Sequence, residues 1–150
     1  MFVPAQSGLA CPYWDRTARG TWIGIGLDTS RTDLCRAVIE GVAMRAAQLV
    51  SAFDDALGAI RKLSLDGGLT RNRYFVQFLA DVLKRPVTVA DSPDLTAYGV
   101  ARLCDSFGAT IEVRAGEWTD VFPNEPLDQE VVDRFCIAAQ RSQGWATAAP

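Results

Sequence analysis

The chain has 150 residues, of which 49% are hydrophobic, and it carries a formal net charge of −3. That length and apolar content predict one globular domain with its own core. The charge excludes a broad basic face for nucleic acid or for an acidic membrane surface, but it leaves room for a small phosphorylated ligand held by local donors.

Side-chain chemistry narrows the possible functions further. Histidine is absent, which excludes Ser–His and Cys–His nucleophile pairs and imidazole acid–base catalysis. The cysteines have no C-x-x-C spacing, which favours buried free thiols in a reducing cytoplasm; they are Cys11, Cys35, Cys104 and Cys136. The chain shows neither a secretory signal nor a run long enough to span a membrane. We therefore expect a cytoplasmic protein that binds neither nucleic acid nor membrane.

The first part of the chain predicts two short strands and a long helix. Residues 2–5 and 21–25 are β-prone, and an ordered loop up to Asp15 follows the first of them. Ser30 and Asp33 have the spacing of a capping box, which marks a helix start. Apolar residues then recur about every four positions as far as Phe53, and Gly58 is expected to end the helix.

The second part predicts alternating strands and helices. A strand at residues 63–65 leads into two glycines and a helix from about Arg71, and a second strand is predicted at residues 86–90. Asp94 is a candidate cap for the next helix. Residues 110–127 contain glycine and proline and are predicted to be irregular, before a terminal helix at about 128–145. This alternation predicts an α/β domain with a largely parallel central segment.

The most informative motif is Asp66-Gly67-Gly68, which follows the strand at residues 63–65. Glycines let a ligand approach the backbone, and the N-terminus of the following helix favours negative charge, so the turn suits a phosphate. Alternatively, the glycines of such a turn only allow the backbone conformation that the turn needs, and no ligand binds there. In an open α/β sheet, ligands bind beyond the carboxyl ends of the strands, which is where Gly67 and Gly68 are expected to lie.

Four blocks of sequence together carry a family resemblance. They begin with Phe2-Val3-Pro4-Ala5, Pro12-Tyr13-Trp14-Asp15 and Arg19-Gly20, and continue with Arg36-Ala37-Val38-Ile39-Glu40-Gly41, Asp66-Gly67-Gly68 with Asn72, and Thr96-Ala97-Tyr98-Gly99. Over about residues 2–107 their order and spacing resemble the C-terminal domain of glycerol kinase-like enzymes. These enzymes belong to the FGGY carbohydrate kinase family, within the actin-like ATPase superfamily. Gln6 and Ala10 depart from the family pattern.

The resemblance implies a partial ribonuclease-H-like, actin-like ATPase domain, with a mixed central sheet, flanking helices and no opening strands, that occupies residues 1–150. It implies ATP and Mg²⁺ as cofactors and assigns nucleotide contacts to Gly67, Gly68 and Asn72. By this resemblance, the backbone of Gly68 lies near the phosphates and Asn72 approaches the adenine. The catalytic base and the metal ligands of such kinases lie upstream of the Phe-Val-Pro block, so the resemblance assigns no catalytic or metal-binding residue to this chain.

Several hypotheses about function follow. The first is that the chain is the ATP-binding part of a kinase for glycerol or a related polyol or sugar, inactive without a missing N-terminal lobe. The alternative is a stand-alone nucleotide-binding or interaction module without turnover, and a third is a remnant that only folds. The surface that normally meets the other lobe would be exposed in the isolated chain. We therefore predict that the chain self-associates through an apolar patch and forms a homo-oligomer.

Other polar and aromatic residues that stand out in the sequence are expected to be structural. Tyr13 and Trp14 are predicted to pack in a loop against the domain rather than to stack on a sugar. Asp15 is expected to form a salt bridge with Arg19. Glu40, in a mostly apolar helix, is expected to pair with a nearby arginine because an unpaired charge there is costly.

Overall fold

The structure, a computed structural model, describes residues 1–92, 94–106 and 116–147. The strands are β1 Phe2–Val3, β2 Thr21–Trp22, β3 Ser64–Leu65, β4 Val87–Ala90 and β5 Trp118–Val121. The helices are α1 Arg31–Leu57, α2 Arg73–Leu83, α3 Leu95–Ser106 and α4 Gln129–Arg141. Short 3-10 turns cover Gly68–Arg71 and Trp145–Thr147. No helix in these ranges is long and apolar enough to cross a membrane.

The described strands form two small sheets. The larger has the order β3-β4-β5, with β3 parallel to β4 and β4 antiparallel to β5. Its register places Leu65 opposite Val89 and Ala90 opposite Trp118. Strands β1 and β2 form a separate antiparallel pair. The larger sheet is mixed, as predicted, and β3 and β4 end at the same edge because they are parallel.

Strand β5 corrects the prediction that residues 110–127 are irregular. Residues 118–121 form this strand, and residues 107–115 lie outside the described part of the chain. The sequence hides β5 because three of its four residues are exposed, so the strand has no alternating apolar pattern. Residues 118–121 form a strand because they pair with β4, and this pairing leaves no signal in the local sequence.

Helix α1 begins and ends where the sequence predicts. The Ser30 hydroxyl accepts a hydrogen bond from the Asp33 amide at 3.2 Å, and the Asp33 carboxylate accepts one from the Ser30 amide at 2.9 Å. At the other end, Gly58 has a φ of +85°, which ends the helix. Helix α4 also begins as predicted, since the Asp128 side chain caps it through the Glu130 amide at 3.1 Å. It ends at Arg141, before the predicted limit.

Two apolar clusters hold these elements together. One lies between β1, α1 and α4 and includes Val3, Met44 and Phe135. The other lies between α1, α2 and the larger sheet and includes Leu79 and Val87. The side chain of Phe78 is packed against both. Burying a large apolar side chain of this kind stabilises a fold by about 1.5–3 kcal/mol, so these clusters fix α2 against α1 and the sheet.

The loop between β1 and β2 differs from its prediction in two respects. Asp15 accepts hydrogen bonds from the hydroxyl of Thr17 at 2.6 Å and from the amide of Gly144 at 2.9 Å. These contacts, the first above all, lower the pKa of Asp15. Arg19 donates instead to backbone carbonyls, at 2.8 Å for that of Ala18, so the predicted Asp15–Arg19 salt bridge is not formed. Nearby donors satisfy the carboxylate at less cost in side-chain entropy.

The aromatic pair in this loop divides between core and solvent. Tyr13 packs against the first cluster, and its hydroxyl accepts a hydrogen bond from Gln48 at 3.0 Å. Trp14 is 75% exposed, so the predicted packing holds for Tyr13 only.

All four cysteine thiols are free, as predicted. Cys35 and Cys104 are exposed, however, contrary to the prediction that all four would be buried.

Candidate functional site

The Gly67–Gly68 motif forms a tight turn between β3 and α2. Strand β3 ends at Leu65, and one 3-10 turn spans Gly68–Arg71 before α2 begins at Arg73. The hydroxyl and the amide of Thr70 both donate to the carbonyl of Gly67, at 2.8 Å and 3.1 Å. The helix thus starts slightly later than predicted, because this extra turn separates it from the glycines.

The two glycines serve the turn differently. Gly67 has a φ of +101°, a conformation that side chains with a Cβ rarely adopt, so the backbone itself requires glycine there. Gly68 is not in the left-handed region, and a Cβ built on it meets no heavy atom within 4 Å. Packing within the described chain therefore gives no reason for glycine at Gly68, and the space over its backbone is open.

Asn72 caps helix α2. Its side-chain oxygen accepts a hydrogen bond from the Phe75 amide at 3.1 Å, in the usual N-cap geometry. Among the described residues, no acceptor is paired with its side-chain NH₂ group. The family resemblance implies a nucleotide contact for Asn72, and the structure gives it a role in the fold as well.

A groove adjoins the turn and meets it at Thr70. One part of the groove, of about 250 Å³, has Thr70, Arg71 and Arg73 on one side and lies along the end of β4. A wider part, of about 360 Å³, extends between α2 and the sheet. The remaining lining residues of the two parts are Val76, Gln77, Val89, Ala90, Asp91, Thr119 and Val121. Gly67, Gly68 and Asn72 are not among the lining residues, so they form a turn beside the groove rather than its wall.

The sequence analysis did not select Arg71 and Arg73. Arg71 ends the 3-10 turn and Arg73 begins α2. Both side chains are exposed, and neither has an acidic partner among the described residues. Positive side chains next to open backbone amides at a helix N-terminus favour an anion. The presence of two arginines shortly after the glycine pair could have indicated an anion site in the sequence. The groove itself could not be predicted, because strand β5, which forms its opposite side, was not predicted.

The donors at this site suit phosphate better than a metal ion. In residues 1–92, 94–106 and 116–147 the structure contains no group of three or more His, Cys, Asp or Glu side chains placed to hold a metal ion. Asp66, at the end of β3, is an exposed carboxylate. The turn thus offers glycine backbone, a helix N-terminus and arginines, which together can bind and orient an anionic ligand.

Comparison with known proteins places this arrangement in a family. The profile of the FGGY family of carbohydrate kinases, C-terminal domain, matches residues 1–105. Glycerol kinase from Aromatoleum aromaticum is 34% identical over 99% of this chain, and that from Acaryochloris marina is 40% identical over 79% of it. The chain spans 32% and 22% of the lengths of these two relatives.

Solved structures show the same likeness in three dimensions. A Plasmodium falciparum glycerol kinase crystallised with ADP matches 95% of this chain with a TM-score of 0.73 and 26% identity. A xylulose kinase from Rhodospirillum rubrum matches 94% of it with a TM-score of 0.68 and 29% identity. The chain covers 30% and 29% of those two proteins. The likeness confirms the predicted partial α/β domain of the actin-like ATPase fold, and the chain belongs to the FGGY family of carbohydrate kinases, whose C-terminal domain it matches.

Proposed function

We propose that this chain is the C-terminal, ATP-binding part of a glycerol kinase-like enzyme. The whole enzyme transfers the γ-phosphoryl group of ATP to a hydroxyl of glycerol or of a related polyol or sugar. The curated relatives described above are glycerol kinases, and the Plasmodium falciparum structure contains ADP. Those observations support both the reaction class and the nucleotide.

The observation that carries the proposal is the open backbone at Gly68. Gly68 lies just beyond the end of β3, and a capped helix follows it. Packing does not require a glycine at this position, because a Cβ would meet no other heavy atom within 4 Å. In our proposal the Gly67–Gly68 backbone contacts the nucleotide phosphates, and the free side-chain NH₂ of Asn72 lies on the adenine side. Arg71 and Arg73 attract the anion towards the turn.

The chain holds and orients the nucleotide but lacks the rest of the reaction machinery. In phosphoryl transfer Mg²⁺ neutralises charge on the phosphates, and a further residue orients or deprotonates the acceptor. The described residues do not fit Mg²⁺, since they include no cluster of acidic or other ligands. We therefore assign the metal ligands and the catalytic base to a separate N-terminal lobe, and we expect the 150-residue chain to have no kinase activity of its own.

Nucleotide binding can be tested by an NMR titration of the chain with ADP, which detects weak binding. We expect chemical-shift changes at the amides of Gly67, Gly68 and Asn72. Gly68→Asp places a negative charge where phosphate is proposed to lie and should abolish these changes. Ser51→Asp adds the same charge at an exposed position of α1 and should leave them intact. If the turn amides do not respond to ADP, or if both variants respond alike, the proposed site is wrong.

Turnover is tested separately, with ATP, Mg²⁺ and glycerol. The chain alone should form no glycerol phosphate, and product from it would contradict the assignment of the catalytic groups to another lobe. ADP binding that persists without activity after a homologous N-terminal lobe is added would favour a stand-alone binding module instead. Sedimentation velocity at rising concentration tests the predicted self-association, and a single monomer boundary throughout would contradict it.

A further inference from the structure

The hydroxyl of Tyr74 connects the first turn of α2 to helix α1. Arg36 Nε donates to Glu40 Oε1 at 2.6 Å and to the Tyr74 hydroxyl at 2.9 Å. The Tyr74 hydroxyl in turn donates to Glu40 Oε1 at 2.5 Å. Glu40 thus pairs with an arginine, as predicted, and the pair receives a third member from another helix. Hydrogen bonds to a charged acceptor are stronger than neutral ones.

The ring of Tyr74 adds little that would hold the residue by itself. It lies 5.9 Å from the ring of Phe78 on its own helix, and the residue is 41% exposed. The Arg36 guanidinium lies 5.7 Å from the ring centroid. Burial and Glu40 raise the pKa of Tyr74, so the hydroxyl keeps its proton at neutral pH. The contacts that reach α1 are therefore those of the hydroxyl and of Arg36.

The glycine turn depends on this region of α2 for its position. Its described hydrogen bonds are internal: Thr70 bonds to Gly67, and the Asn72 amide bonds to the Leu69 carbonyl at 3.0 Å. Asn72 then joins the turn to α2, because its side chain caps the helix by accepting a hydrogen bond from the Phe75 amide. Tyr74 lies between Asn72 and Phe75 in sequence, so its tie to α1 adds to the apolar packing of Phe75 in holding the end of the helix that carries the turn.

We propose that Tyr74 is a positioning residue for nucleotide binding, acting through Glu40 and Arg36. Its hydroxyl holds the N-terminal turn of α2 against α1 and so keeps the backbone of Gly67–Asn72 in the geometry that receives phosphate. This inference rests on the proposed nucleotide site. Preorganised donors bind more tightly because the ordering cost is met before the ligand arrives.

The variant Tyr74→Phe tests this role because it removes only the hydroxyl. We expect the Kd for ADP to rise about threefold to tenfold, which is the range for the net contribution of one ordinary hydrogen bond, because the Tyr74–Glu40 contact is partly exposed. Hydrogen exchange at the amides of Thr70 and Asn72 should become faster. Tyr13→Phe is the matched control, because Tyr13 lies in the loop between β1 and β2 and its hydroxyl accepts a hydrogen bond from Gln48 of α1. This variant should change neither quantity.

The outcomes separate the two proposals. If the unaltered chain shows no ADP response at the turn, the proposed function fails. If the unaltered chain binds ADP but Tyr74→Phe leaves both the Kd and the exchange rates unchanged, the positioning role is wrong, whatever happens to Tm. A fall in Tm with unchanged turn exchange would likewise assign Tyr74 a purely structural role and overturn the inference.

Discussion

Gly41 of helix α1 lies directly against the carbonyl group of Phe2 in strand β1. A Cβ built on Gly41 would stand 2.2 Å from that oxygen, well inside the contact distance of any real side chain. The obstacle is backbone, which cannot rotate away as a flexible side chain can. Helix and strand therefore meet at this point because Gly41 has no side chain.

Replacing Gly41 by alanine should destabilise the chain by about 1–3 kcal/mol, the usual cost of forcing extra atoms into a packed interface. The matched control is Gly99→Ala in helix α3, where a Cβ meets nothing within 4 Å. There alanine should stabilise by about 0.4–1 kcal/mol, because it restricts the unfolded chain. Urea unfolding of both variants measures the difference. Equal effects would show that the close contact at Gly41 has no energetic consequence.

The two glycines of the turn should respond differently to alanine. Gly67→Ala forces a residue with a Cβ to a φ of +101° and should cost about 1–3 kcal/mol of stability. Gly68→Ala meets open space and should change stability by less than about 0.5 kcal/mol. Its effect should appear in ADP binding, where the added methyl group lies between backbone and phosphate. Loss of stability at Gly68 with unchanged binding would contradict this division.

Asn72 can be tested for its two roles separately. Asn72→Ala removes the cap on α2 and should cost about 1 kcal/mol. Asn72→Asp keeps an acceptor for the Phe75 amide and places a negative charge at a helix N-terminus, so stability should be retained. Both variants lack the side-chain NH₂ group, so both should weaken ADP binding if that group contacts the base. Thermal unfolding and NMR titration measure the two properties. Wild-type affinity in Asn72→Asp would leave Asn72 with its capping role alone.

Local signals explain what the sequence predicts well. The Ser30–Asp33 capping box, the positive φ of Gly58 and the glycine turn each depend on residues close together in the chain, so their chemistry is visible in sequence. Strand β5 depends instead on pairing with β4, and its mostly exposed residues carry no pattern of their own. The groove was missed for the same reason, since β5 forms part of it.

Contacts between distant parts of the chain were not predicted because competing partners cannot be ranked from sequence. Asp15 has Thr17 and Gly144 as donors, and the second is distant in the chain, so spacing alone suggested Arg19. The link from Tyr74 to Glu40 also joins residues on two helices. Such contacts follow from how α1 and α2 pack, which the apolar pattern fixes only approximately.

A last prediction concerns the ion pair between Asp54 and Arg85. The guanidinium of Arg85 bonds both carboxylate oxygens of Asp54, at 2.5 Å and 3.2 Å, and the Ile60 amide donates to the same carboxylate at 2.8 Å. These contacts, led by the side chain of Arg85, hold the pKa of Asp54 below its ordinary value of about 3.8. They join the end of α1 to the segment between α2 and β4.

Because the folded state favours the charged form of Asp54, its contribution to stability is present above the unfolded pKa of about 3.8. That contribution is lost as pH falls through the lower pKa of the folded state. Asp54→Asn should therefore be less stable than the unaltered chain at pH 7, and the gap should close in strong acid. Asp55→Asn, at the exposed neighbouring position, is the control and should show no such gap. Urea unfolding between pH 7 and pH 2 makes the comparison, and a gap that stays constant over this range would mean that the charge of Asp54 does not stabilise the fold.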